Sequence, residues 1–70
     1  MKINYTAVTV ARAAAVLSVG DMLQKAGIPR ATWQSVVRSR RASAQTIGKI
    51  ARALGVDVAE LIEVDPVKVS

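Results

Sequence analysis

The sequence predicts an all-α domain of five short helices, the second and third forming a helix-turn-helix. Three observations predict it. Apolar residues recur at i, i+3, i+4 and i+7 in two stretches, the spacing of a single helical face. Ser18-Val19-Gly20-Asp21 and Asp57-Val58-Ala59-Glu60 have the form of capping boxes, in which a side chain at a helix start takes up a free amide and an acid three residues on returns the bond. Gly27 and Gly55 stand where helices would stop, able to take the positive φ of a helix end.

Residues 1–5 are expected to form an N-terminal arm, because Lys2-Ile3-Asn4-Tyr5 alternates as an extended segment does. The first helix is expected from about Thr6 to Leu17, with Val10, Ala13, Ala14 and Leu17 facing inward. Thr6-Ala7-Val8-Thr9-Val10 is alternating and β-branched enough to suit a strand; the alanine run and Arg12 decide for helix. Ser18 caps the second helix and Asp21 complements its dipole, so neither is assigned any chemistry. Met22, Leu23 and Ala26 supply its inward face, with Met22 as core filling, and Gly27 ends it. Ile28 should point inward from the turn, and Pro29 restarts the chain at the cap or first position of the next helix.

The third helix, about Arg30 to Arg38, divides cleanly at 100° per residue. Arg30, Ala31, Gln34, Ser35 and Arg38 fall on one side; Thr32, Trp33, Val36 and Val37 fall on the other and should pack. Ser43 can cap a fourth helix in which Ile47, Ile50, Ala51 and Leu54 repeat on one face before Gly55. Asp57 and Glu60 then open a short fifth helix, with Val58, Leu61 and Ile62 facing in. Residues 64–70 alternate around Pro66 and form a C-terminal tail, either a short dimerisation strand or a disordered end; the fifth helix and the Ile3–Tyr5 arm are the other candidate dimer surfaces.

Seventy residues make one domain with a thin core, leaving no room for a separate catalytic domain. The apolar share is 51%, mostly Ala and Val, with one Trp, one Tyr and no Phe. Cys and His are both missing, which removes thiol and imidazole chemistry, disulfides and the usual zinc ligands together. No nucleophile and base are paired by the pattern, so an enzyme is not expected, nor any cofactor or metal. The apolar run Ala13 to Leu17 is far too short to span a membrane. Asn4, Thr6, Thr9 and Arg12 interrupt any signal-like segment, and a cytoplasmic location is expected.

Charge is distributed unevenly. The net charge is +5, yet between Asp21 and Asp57 the chain holds seven Lys and Arg and no acid, while residues 53–70 carry four acids against Lys68. An ordinary surface intersperses the two signs. An acid-free surface carried on a helix-turn-helix points to DNA.

The residues that carry a resemblance are now in view. Ala26-Gly27-Ile28 joins two short helices, Thr46-Ile47-Gly48-Lys49-Ile50-Ala51-Arg52-Ala53-Leu54-Gly55-Val56 follows, and Glu60-Leu61-Ile62 comes after. Over about residues 6–63 the chain resembles the Cro and lambda-repressor-like helix-turn-helix family, and the opening Met1-Lys2-Ile3-Asn4-Tyr5 looks like compact bacterial and phage members. The resemblance implies that Arg30, Ala31, Gln34 and Ser35 face the major groove, that Arg38 contacts the DNA backbone, and that Arg40 and Arg41 lie near phosphates in the loop beyond. It departs at Val19, where the family often carries a DNA-touching Gln, and at Pro29, where it often carries Ser or Thr.

The side-chain chemistry fits those positions. Arg can fork onto guanine and Gln onto adenine, each good pair discriminating by about 1–3 kcal/mol, while Ala31 suits a thymine methyl. Arg38, Arg40 and Arg41 would place the domain on phosphates without reading sequence. Trp33, beside Val36 and Val37, belongs to the core rather than to a base stack. The expectation is therefore a sequence-specific regulator of transcription, a repressor binding double-stranded DNA as a homodimer on a palindromic operator. The alternative is a protein-interaction module of antitoxin or phage accessory type, with a protein partner at the acidic, Val-rich C-terminal region.

Overall fold

The computed structural model describes residues 1–63. Four α-helices follow one another, α1 (Tyr5–Ala14), α2 (Val19–Ala26), α3 (Arg30–Ser39) and α4 (Ala44–Leu54), and a single 3-10 turn, Val58–Glu60, closes the order. Among the described residues the fold is all-α, with four helices where five are expected. Asp57 and Glu60 do form the reciprocal cap, Glu60 accepting from the Asp57 amide at 3.0 Å and Asp57 accepting from Ala59 at 3.3 Å. The helix they open does not propagate, because the next residues are drawn into β-type pairing: Leu61 O accepts from the Asn4 amide at 2.8 Å and the Glu63 amide donates to Lys2 O at 2.9 Å.

That pairing gives the N-terminal segment its role. Residues 2 and 3 are extended, as their alternation predicts, but they are not a free arm. Lys2 lies opposite Arg41 and Ile3 opposite Ile62, both antiparallel. On the first side the Ile3 amide donates to Arg40 O at 2.8 Å and the Ala42 amide to Met1 O at 2.9 Å. Ile3 is thereby fully buried. Asn4 then caps α1, its Oδ1 accepting from the Ala7 amide at 3.1 Å, so the helix starts at Tyr5 rather than Thr6.

The inward face of α1 is not the one its sequence suggests. Val10 is 63% exposed and Ala13 and Ala14 are exposed, while Val8 is buried and Tyr5, Ala11 and Arg12 are half-buried. Alanine on both sides of the helix leaves little hydrophobic contrast, so the larger Tyr5 and Val8 and the aliphatic stem of Arg12 decide which face packs. The helix stops at Ala14. Val16 turns the chain at φ 56°, and Leu17 O accepts from Arg12 Nη1 at 3.0 Å.

The remaining helices follow their local signals. Ser18 accepts from the Asp21 amide and the Asp21 carboxylate accepts from the Ser18 amide, completing the first capping box. Gly27 and Gly55 end α2 and α4 at φ 70° and 71°. In each case the amide of the residue after glycine reaches back, Ile28 to Leu23 O and Val56 to Ala51 O, both at 3.0 Å. Such bonds satisfy carbonyls a helix end would leave open and tuck the following apolar side chain under the helix. The core gathers Ile3, Val8, Met22, Ile47, Ile50 and Leu61 at its centre, each worth about 1.5–3 kcal/mol in burial. Every buried residue among those described is apolar.

Candidate nucleic-acid interface

The turn between α2 and α3 is built from Gly27 and Ile28. Glycine takes the left-handed angle, and Ile28, 7% exposed, anchors the turn in the core. Pro29 then serves as the N-cap of α3 with no side-chain bond of its own. Trp33 and Val36 are buried and Val37 is half-buried, so α3 is held along that side. Thr32 is exposed, contrary to its place on the wheel, because it faces the start of α4 rather than the core.

Arg30, Ala31, Gln34, Ser35 and Arg38 are all exposed on α3. They form a ridge between two grooves. One is lined by Ala31, Thr32 and Ser35 together with Arg41, Ser43 and Thr46. The other is lined by Arg30, Gln34 and Arg38 together with Tyr5, Trp33 and Val37. The ten residues of α3 span about 15 Å, and a helix with its side chains is about 10–12 Å across, which matches the width of about 12 Å of a DNA major groove.

Arg30 does not project alone. Its Nη2 lies 3.6 Å from where a Cβ at Gly20 would sit, so the guanidinium rests against the first turn of α2. There it adds to the positive end of the α2 dipole. Arg40, at the end of α3, has left-handed backbone at φ 58°. Its guanidinium carbon lies 4.5 Å from the centroid of the Tyr5 ring, and Tyr5 in turn stacks on Trp33 at 6.1 Å and 30°. Arg41 is exposed and borders the first groove. Ser39 organises this loop, donating to Ser35 O at 2.9 Å and accepting from the Arg41 amide at 3.2 Å.

Three groove residues escape a reading of the sequence as an interface. Ser43 and Thr46 look only like a helix start; the structure joins their hydroxyls at 3.0 Å and sets both in the groove beside Ser35. Tyr5 reads as part of the arm, and nothing local signals that it reaches α3. Lys25, Lys49 and Arg52 lie elsewhere, bordering a trough with Ala26 and Ala53 on the α2–α4 seam. Two of them, Lys25 and Arg52, occupy the last turns of their helices, where positive charge offsets the dipole.

A family model described as the Cro/C1-type HTH DNA-binding domain matches residues 8–66, and the chain belongs to this family. It is thus a helix-turn-helix DNA-binding protein. No curated protein and no solved structure matches the chain. Among the described residues no single helix is long and apolar enough to cross a membrane.

Proposed function

We propose that this protein is a sequence-specific transcriptional regulator, a repressor of phage or bacterial type that binds a palindromic operator as a homodimer. The observation that carries it is the shape and charge of α3, an exposed polar ridge with cations on both flanks. In this reading α3 enters the major groove. Arg30, Ala31, Gln34 and Ser35 meet base edges, and Arg38, Arg40 and Arg41 meet phosphates, with Ser43 and Thr46 along a flanking backbone.

A domain of this size reads few base pairs, and a second copy supplies the missing specificity, its half-site about one helical turn away. Ile3 is committed to the core of its own chain, which removes it from the surfaces available to a dimer. The tail 64–70 proposed for that contact lies outside the described residues, as does most of the acidic, Val-rich region of the alternative reading. That alternative, a protein-interaction module, has one observation in its favour, two large apolar side chains left in solvent, Val10 on α1 at 63% exposed and Val16 just beyond it at 87%.

Selection of bound duplexes from a random pool tests the proposal. A palindromic winner with half-sites about one turn apart supports it. Negligible affinity for every duplex at low salt, where phosphate contacts bind best, rules it out in favour of the protein partner.

A further inference from the structure

The helices α2, α3 and α4 all end in a residue with left-handed backbone. Gly27 and Gly55 end two of them, but α3 ends on Arg40 at φ 58°. An L side chain adopts this conformation only at a cost in backbone energy that glycine escapes. The chain therefore keeps a side chain where the fold alone would favour none.

What that side chain does is visible in its surroundings. The Arg40 guanidinium lies 4.5 Å over the Tyr5 ring, and Tyr5 packs at 6.1 Å against Trp33, which is 5% exposed and so is fixed in the core. Tyr5 also lines the groove that contains Arg30, Gln34 and Arg38. A carboxylate partner would cancel the charge of Arg40 and occupy its donors. An aromatic face does neither, because it engages the guanidinium plane and leaves the N–H groups, which point outward in that plane, free for another acceptor.

We infer that Tyr5 is a positioning residue that holds Arg40, with its charge and donors intact, for a phosphate at the edge of the groove beside α3. The inference rests on the proposed reading of α3 as the helix that enters DNA. Tyr5 thereby ties the start of α1 to the end of the reading helix, and the strain at Arg40 is the cost of placing a cation there.

The test uses the full chain and a labelled duplex of arbitrary sequence, titrated at several salt concentrations, with thermal melting recorded for each variant. Tyr5→Leu is expected to lower affinity at low salt about tenfold, the scale of one charged hydrogen bond. It should also make the slope of log affinity against log salt shallower by about 0.9, the contribution of one phosphate. Tyr5→Phe, which keeps the ring, should retain both affinity and slope. Arg40→Gly should show the Tyr5→Leu loss while melting no lower than the parent, a divergence that a purely structural role does not produce. Binding by the parent with a slope unchanged in Tyr5→Leu overturns the inference alone, as does Arg40→Gly binding like the parent should Tyr5→Leu not fold. Failure of the parent to bind any duplex overturns the DNA reading and this inference with it.

Discussion

Ile3 lies directly opposite Ile62 in an antiparallel pair, so the two ends of the described chain close on each other across the core. Ile3 is 0% exposed. The N-terminal segment is thus a structural member, flanked on both sides, in a domain whose other elements are helical.

Ile3→Ala should therefore destabilise the fold by about 2–5 kcal/mol, the range for truncating a fully buried isoleucine. Urea denaturation measures it. A shift below about 0.5 kcal/mol, the scale of a merely exposed site, would show the segment to be only loosely docked.

Val16 has φ 56° and is 87% exposed. A β-branched residue is strained there and gains almost nothing from burial. Val16→Gly should stabilise the domain by about 1 kcal/mol, the relief of left-handed strain less the added chain entropy of glycine. A fall in melting temperature would mean that the valine side chain makes a stabilising contact in solution, as a partner seated on the turn after α1 would provide.

Gln34→Ala should relax base preference at one operator position by about 1–3 kcal/mol and leave binding to unrelated duplexes nearly unchanged. Affinities for operator variants with one base pair changed at a time report this. Equal weakening on every sequence would assign Gln34 to the backbone.

Arg38→Ala should do the reverse. Affinity falls on all duplexes alike, and the salt slope becomes shallower by about 0.9. A loss confined to the operator would place Arg38 at a base edge.

How much of this was legible in the sequence depended on whether the signal was local. The caps Ser18 and Ser43 and the stops Gly27 and Gly55 act within one turn, and α2 and α4 begin and end where those residues place them. The exposure of Arg30, Ala31, Gln34, Ser35 and Arg38 follows from helical periodicity, since Trp33 and Val36 leave little choice about which side packs. Around α1 the periodicity misled, because an alanine-rich helix has two apolar faces and Val10 competes with Val8. The 3-10 turn at Val58 shares its capping signature with a true helix, and only the distant pull of residues 2–4 on residues 61–63 separates the two. The stack of Arg40, Tyr5 and Trp33 was invisible for the same reason, since it unites residues far apart in sequence, and left-handed arginine is not a conformation that local preference foretells.

The antiparallel clasp at Ile3 also sets an order of events during synthesis. The chain is made from its first residues onward, so Ile3 and all of α3 exist well before Leu61, Ile62 and Glu63 are added. Until then one edge of the N-terminal segment has no partner, and the core that steadies α3 is open beside it. Closure over so long a sequence separation comes late in folding. A growing or truncated chain that stops short of Leu61 therefore carries every residue of the helix-turn-helix without the fastening that holds it rigid, and the domain reaches its working shape only when its final turn is in place.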